Sequence, residues 1–308
     1  MKNTQYRPNK KGFVLSLVLW ISASMMLLSL LFVRMNKEES QVYEKMHQKL
    51  NVELLTQSLF EKISYYISTG YFKGVTISNT LEKFPPTLRL DSKEFNLTQS
   101  NINCKCSLLD HSALFNLRFL SAKQQAQKLI EQLSSTTYSF NDIYLDWIDK
   151  DDFTRLNGAE RSNYFLDNYK YTPANYISFQ HKDSLFLLKG LTNSKKIINE
   201  NIEKFFTTYG SVPINIQIID KKVLKSFFSL FDEAQLNELL HLRITNPAEY
   251  RSIFQKAYNN SEAYSTFVSK VITIKITCFQ NDVYSKLKAI VDFKATNSRS
   301  ISILEMSK

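Results

Sequence analysis

The chain has 308 residues, 44% of them hydrophobic, and a formal net charge of +10. That apolar content is enough to bury a core and excludes a largely disordered chain, and the length allows an anchor plus one large or two small domains. The basic excess is spread along the sequence, with no Lys/Arg patch interleaved with aromatics, so the composition argues against a nucleic-acid partner.

The N-terminus carries Lys2, Arg7, Lys10 and Lys11 and no acid, then Gly12-Phe13. From Phe13 to Val33 there is no Asp, Glu, Lys, Arg or His. A run of ~20 apolar residues is long enough to cross a bilayer as one helix. Basic residues ahead of it stay in the cytoplasm, so the remainder faces outward, in a Gram-negative cell into the periplasm. A cleaved secretory signal is excluded, because its apolar core is shorter and a small-x-small site follows it, whereas Arg34-Met35-Asn36-Lys37 follows here. A plain signal anchor and a prepilin-type leader both fit. In the second, cleavage falls between Gly12 and Phe13, Phe13 becomes the N-methylated first residue, and the mature chain keeps a charge of +6. The fifth residue after that cut is Leu17, where most prepilins carry Glu. A carboxylate in a membrane helix is costly and is kept only for a role, so Leu17 points away from an ordinary repeating pilin subunit.

Beyond the anchor, Val42, Met46, Leu50 and Leu54, then Leu55, Leu59, Ile63 and Ile67, recur at helical spacing. They predict one long helix that leaves the membrane and buries a face in a soluble domain, with Gly70 and Gly74 as terminators. Thr76–Ser78, Lys93–Leu97 and Ile102–Leu108 read as strands, and Pro85-Pro86 breaks any helix between them. Ala113–Leu117 reads as a buried strand entering a turn. The segment from Ser121 to about Asn260 is mostly helical, with helical spacing over Ala122–Leu133, Lys221–Leu242 and Ala248–Tyr258. Val271–Thr277 is β-branched and strand-like, and strand composition continues over 285–304. The order predicts an α+β protein with a helical domain inserted into it. The boundaries are a leader at 1–12, a transmembrane helix at 13–33, a first α/β part at 34–120, the insertion at 121–260 and last strands at 261–308. Three cysteines, Cys104, Cys106 and Cys278, do not make a zinc site. In an oxidising compartment either Cys104 or Cys106 can bridge to Cys278, and three buried thiols on strands are the alternative.

The richest stretch runs from Tyr144 to Asn175. Asp146, Asp149, Asp151, Asp152 and Glu160 lie within it, and oxygen ligands alternating along a loop suit a hard cation such as calcium. The Asp-x-Asp-x-Asp-Gly order of an EF-hand is absent. The same acids also suit helix capping and loop hydrogen bonds. No phosphate loop, Gly-x-Ser-x-Gly or His-Glu-x-x-His motif is present, and His47, His111, His181 and His241 are scattered, so the sequence carries no sign of an enzyme.

The run Asp146-Trp147-Ile148-Asp149-x-Asp151, followed by Gly158-Ala159-Glu160, Tyr164, Tyr169 and Asn175, resembles the minor pseudopilin K family of type II secretion systems. Asp183–Gly190, Ile214-Asn215-Ile216-Gln217 and Leu114-Phe115-Asn116-Leu117 resemble further motifs of that family, and Gly12-Phe13 with Leu17 matches its leader. The resemblance spans nearly the whole chain. It departs at Arg161, where the family usually has an acid, at Arg118, and at Gln217-Ile218-Ile219.

The resemblance implies a pseudopilin fold: a long N-terminal helix on an antiparallel sheet, interrupted by a large all-α domain of SAM-like type. It implies a place at the pseudopilus tip with minor pseudopilins I and J, above the major and other minor pseudopilins, after processing by prepilin peptidase at the inner membrane. It also implies calcium as the one candidate cofactor, with Arg161 standing in place of one oxygen ligand, and an associative role without catalysis. A minor pilin of a type IV pilus or DNA-uptake machine, and an unprocessed membrane-anchored periplasmic scaffold, are the other classes the sequence admits.

Overall fold

A computed structural model describes residues 10–81, 84–118, 123–133, 139–175, 178–191, 204–210, 213–259, 264–294 and 301–307. Most of the leader, residues 1–9, lies outside them.

The first helix, α1 (Lys10–Thr69), is 60 residues long, about 90 Å at the usual rise per residue. Its N-terminal part is apolar enough to cross a membrane, and none of that window is buried against the protein. The C-terminal part, from Val52 to Ile67, buries Val52, Leu55, Leu59, Ile63, Tyr66 and Ile67 against a sheet. The predicted stripe is therefore split. Leu55, Leu59, Ile63 and Ile67 are core, whereas Val42, Met46, Leu50 and Leu54 are exposed, Met46 by 67%. The physical reason is reach: the sheet covers only the last five turns or so of the helix, and the first half of the stripe extends beyond its edge.

Gly70 stands where the helix ends, as expected, whereas Gly74 does not. The helix stops at Thr69, and a Cβ on Gly70 would lie 2.5 Å from Ile77 Cγ2 and 2.7 Å from the Tyr66 carbonyl. Gly70 is thus a point of close approach. Gly74 has φ +59° and forms the turn between β1 (Tyr71–Lys73) and β2 (Thr76–Ser78), which pair antiparallel. With β3 (Thr87–Arg89) they form a small sheet.

The main sheet is antiparallel and five-stranded, in the order β12-β11-β10-β5-β4. Its strands are β4 (Asp91–Gln99), β5 (Ile102–Asp110), β10 (Val271–Gln280), β11 (Val283–Asp292) and β12 (Ser302–Ser307). The predicted strand segments at 93–97, 102–108 and 271–277 fall inside these. In β5 alternate residues are buried, in β10 the first four are all buried, both strands contribute to the core shared with α1, and Cys104 lies opposite Cys278, to which it is disulfide-bonded. Cys106 is buried and free. The bridge spans 174 residues, and closing a loop of that size removes roughly 5 kcal/mol of chain entropy from the unfolded state.

The central pair β5–β10 is a hairpin whose loop has become a domain. The chain leaves the sheet after Asp110 and rejoins it at Val271, and Asp110 pairs with Ile272. The excursion takes in the 121–260 segment and its flanks. It contains α2 (Lys123–Leu133), α3 (Phe140–Ile148), α4 (Arg161–Leu166), α5 (Lys221–Phe227), α6 (Glu233–Thr245) and α7 (Pro247–Tyr258). The helical spacing over Lys221–Leu242 is two helices, because Asp232 caps a new one through the Gln235 N–H after the chain turns at Phe228. Two short parallel pairs also lie inside: β6 (Phe115–Asn116) with β7 (Phe206–Thr207), and β8 (Ile214–Asn215) with β9 (Tyr264–Ser265). The insertion has its own apolar core, built on Trp147, Tyr164, Phe206, Leu224, Tyr250 and Phe254 among others. It is distinct from the core between α1 and the main sheet.

Two polar groups hold the departure and return points together. The buried Asp110 carboxylate accepts from the Ser112 N–H (2.7 Å) and hydroxyl (2.5 Å), from the Ser269 N–H (3.0 Å) and hydroxyl (2.9 Å), and from the Lys270 N–H (3.1 Å). Beside it, His111 bridges Thr207 of the insertion (2.6 Å) and Thr273 of the sheet (2.7 Å).

The insertion sits at the end of the sheet remote from the membrane. Ala113, Leu114 and Ile218 pack with Val75 and Leu109, and Gly74 lies against Gln217, just past the end of α1. At the opposite end of the sheet, Gln99, Ile102 and Gln280 share a groove with Asn51, Leu54 and Ser58 of α1.

Truncating the carboxylate in Asp110→Ala leaves buried N–H groups of both crossings without acceptors. It should lower unfolding free energy by about 3 kcal/mol or more, with hydrogen exchange accelerated first at 112 and 269–270; an unchanged urea midpoint would refute this role. Burial, reinforced by the positive fields of Lys288 and Lys182, pushes His111 from 6.5 down to about 4. A base whose folded pKa is depressed favours the folded state above its unfolded value, and that contribution drains as pH falls from about 6.5 toward 4. The loss amounts to up to about 3 kcal/mol. Denaturant melts at neutral pH and near pH 4.5 should show a steeper loss for the wild type than for His111→Gln, which does not titrate.

Candidate metal centre

The acidic stretch is organised by α3. Ser139 caps it, accepting from the Asp142 N–H, and an acid in the first turn suits the helix dipole. Phe140, Ile143, Tyr144 and Trp147 fall on one face at helical spacing and are buried. Trp147 meets Tyr164 edge-on at 5.7 Å and also packs on Tyr171 and Phe179. These contacts draw the start of α4 over α3. Asp146 and Asp149, three residues apart, then share the side of α3 that faces the loop back to Glu160.

Three of the five predicted acids meet. One carboxylate oxygen from each of Asp146, Asp149 and Glu160 lies within 4.8 Å of the others. Asp146 and Glu160 are fully buried. Asp151 and Asp152 are exposed and stay outside the cluster: they follow the end of α3, and the Asp151 carboxylate instead accepts from the Phe153 N–H at 3.0 Å. Arg161, which occupies the place of a further acid, is exposed on the first turn of α4.

The cation that does enter the cluster is Arg155, a residue the sequence reading passed over. One guanidinium nitrogen, Nη1, donates to Asp146 Oδ1 and to Asp149 Oδ2, each at 2.5 Å. The Arg155 N–H adds a bond to Asp146 Oδ2 at 3.2 Å. Hydrogen bonds to Asp146 and then Asp149 hold the guanidinium more firmly protonated than usual. The signal available in the sequence was an arginine six residues beyond Asp149 and three before Gly158, inside a loop otherwise rich in acids.

Glu160 has no such partner. It stands at the N-cap of α4 and its own N–H donates to Asn163 Oδ1 at 2.9 Å. The returning Asn163 N–H goes to the Glu160 carbonyl, also at 2.9 Å, close to the carboxylate but not bonded to it. Both Glu160 carboxylate oxygens, and Asp149 Oδ1, are buried without a hydrogen-bond partner. Burial first, then the neighbouring Asp146 and Asp149, push Glu160 from 4.5 up to about 7. Orphaned buried oxygens are costly, and three carboxylates against one guanidinium leave excess negative charge at neutral pH. The donor set, hard oxygens only, suits calcium. The residues therefore fit a calcium ion held by Asp146, Asp149 and Glu160.

The remaining predicted residues lie far from this loop. Gly12 and Phe13 belong to the first turns of α1, and Leu17 is exposed on its apolar part. The other motif residues serve the insertion's frame. Asn116 donates to the carbonyls of Tyr209 and Gly210, Asn215 Oδ1 accepts from the Gln217 N–H, and the Tyr164 hydroxyl accepts from the Lys189 N–H at 2.8 Å.

Residues 113–196, which begin where the chain leaves the sheet and include this whole loop, match the family described as Type II secretion system (T2SS), protein K. Over this segment, about a quarter of the chain, the sequence is similar to the protein K family. The structure is also similar to a chain in the crystal structure of the GspK–GspI–GspJ complex from enterotoxigenic Escherichia coli. The TM-score is 0.52 at 14% sequence identity, over 87% of this chain and 98% of that one. That likeness, at this level of identity, establishes the fold. No curated protein matches the chain in sequence.

The Gly158-Ala159-Glu160 segment, inside the matched region, has a structural meaning. A Cβ on Gly158 would lie 2.0 Å from Asp146 Oδ2 and 2.7 Å from its Cγ, and that carboxylate is buried and pinned by Arg155. Gly158→Ala must therefore displace Asp146. It should destabilise the insertion by about 1–3 kcal/mol, read as a lower melting temperature together with loss of the Trp147 near-ultraviolet signal; a melting temperature equal to wild type would contradict the close approach.

Proposed function

We propose that the chain is a minor pseudopilin of the type II secretion pseudopilus tip, acting by assembly with I- and J-type minor pseudopilins. The observation that carries this reading is the position of the insertion. A second core, larger than the one between α1 and the sheet, stands at the end of the sheet opposite the membrane span, where a further subunit stacked above would have to sit. A subunit with such a cap suits the top of a filament. Leu17 fits the same place: with no subunit ahead of it, the chain has no use for a glutamate that reaches a neighbour's terminal amine.

The exposed stripe Val42, Met46, Leu50 and Leu54 supplies an apolar helix surface, continuous with the membrane span, for contact with neighbouring subunits below. In this reading the chain is held in the inner membrane by α1 with its bulk in the periplasm, is cut between Gly12 and Phe13 by prepilin peptidase, and is methylated at Phe13. It then enters the pseudopilus over the major pseudopilin. Its work is mechanical: it starts and caps growth and helps drive folded proteins across the outer membrane, with no reaction catalysed. Calcium at Asp146, Asp149 and Glu160 would supply charge neutralisation that ties α3 to the start of α4 and stiffens the cap.

Mass determination of the purified N-terminus tests the reading. A chain beginning at N-methylated Phe13, and an uncut chain from Met1 in cells lacking prepilin peptidase, are the expected results. An intact Met1 in cells that hold the peptidase would make it an ordinary membrane-anchored scaffold.

A further inference from the structure

The cluster on α3 and the 155–160 loop holds two kinds of oxygen. Asp146 Oδ1 and Asp149 Oδ2 are engaged by a single guanidinium nitrogen. Asp149 Oδ1 and both Glu160 oxygens are buried and bonded to nothing. A calcium ion takes six to eight oxygen ligands at about 2.4 Å, so a cation seated among the three carboxylates must draw on the oxygens that Arg155 holds. Two cations cannot share those oxygens at such distances without strong mutual repulsion.

We infer that Arg155 is a tethered competitor for the cation site, a side chain that occupies the seat in the metal-free protein and must swing out for calcium to enter. The geometry provides for the exchange. The Arg155 side chain is 37% exposed, Asp149 is 22% exposed and Asp146 is fully buried, so the guanidinium has a short route to water on the Asp149 side of the cluster. The backbone stays in place when the side chain leaves, because the Arg155 N–H remains on Asp146 Oδ2 and Gly158 packs on the same carboxylate. The loop thus keeps its shape in both states, and only one side chain changes places. Counted with all three carboxylates ionised, the cluster has an excess of two negative charges with Arg155 seated and of one with calcium seated and Arg155 out.

The consequence is reciprocal. Whatever factor Arg155 removes from calcium affinity, calcium removes from the hold on Arg155. Affinity is set lower than the three acids alone would give, and the loop is never left without a counter-charge.

This inference rests on the calcium reading above, and calcium titration of the full-length chain in detergent micelles separates the two. Isothermal titration after chelator treatment should show Arg155→Gln binding calcium about tenfold more tightly than wild type, the worth of releasing one charge-assisted pair. Arg155→Lys, which keeps a tethered cation, should stay nearer the wild type. In chelator Arg155→Gln should melt below wild type, and in saturating calcium that deficit should vanish. Equal or weaker calcium binding by Arg155→Gln, or a melting deficit of the same size with and without calcium, overturns the competitor role while leaving the metal site standing. If neither wild type nor Arg155→Gln binds calcium up to about millimolar concentration, the metal site itself fails and the competitor role falls with it. Should Arg155→Gln fail to fold in chelator, the Arg155→Lys titration decides: an affinity loss relative to wild type refutes the competition.

Discussion

The structure depends on how a strand pair accepts a domain in place of its turn. β5 and β10 are neighbours in the sheet, so the chain must leave and return within one strand spacing, about 5 Å. Nothing in a two-stranded ladder enforces that once the connection is some 160 residues long. Asp110 enforces it. Its carboxylate gathers donors from Ser112 on the way out and from Ser269 and Lys270 on the way back, so both crossings are fixed to one point. A carboxylate suits the task because it accepts several bonds at once, and bonds to an ionised acceptor are about twice as strong as neutral ones. His111 adds the next contact, joining the first residue beyond the sheet to Thr207 in the insertion and Thr273 in the strand. The Cys104–Cys278 bridge secures the other half of the same strand pair.

The position of that junction decides what the insertion can do. Because Asp110 lies at the end of β5 near the close of α1, the inserted core stands beyond Val75 and away from the membrane. Had the chain been interrupted at the opposite end, between β4 and β5 or between β10 and β11, the same helices would crowd the part of α1 near Asn51 to Ser58. There they would cover the stripe from Val42 to Leu54 that is open for helix contacts. A single choice of interrupted hairpin thus leaves the lower surface of the subunit free and closes the upper one.

Much of this was legible from residue patterns. The apolar run and its basic leader, the β-branched strand at 271–277, the alternation around Cys104 and Cys106, and the strand–helix–strand order all report local physics that the tertiary structure keeps. The stripe on α1 was legible as amphipathic, but periodicity states only that a face is apolar, not whether the partner lies in the same chain. Gly70 does follow the end of the helix, where it also admits the Ile77 side chain, but Gly74 forms a hairpin turn, because glycine marks several kinds of backbone constraint alike. Ligand spacing along the acidic stretch did not separate Asp146, Asp149 and Glu160 from Asp151 and Asp152. Membership depends on where α3 ends and how the following loop folds back, which is set by the aromatic contacts of Trp147 and Tyr164 rather than by the acids.

The acidic loop also shows why an unmatched charge is informative. A cluster designed only to hold a loop would satisfy each carboxylate with backbone amides, as Asp110 does in the same molecule. Around Glu160 the amides are spent elsewhere: its own N–H goes to Asn163, and the Asn163 N–H goes to the Glu160 carbonyl. The carboxylate is thereby left buried and unbonded in a place where one more donor would have been easy to supply. Two buried acids in one chain are treated in opposite ways, one saturated with donors and one kept bare beside two others. The saturated one is the mark of a joint; the bare one is where the proposed cation would sit, beside the guanidinium that covers only its neighbours.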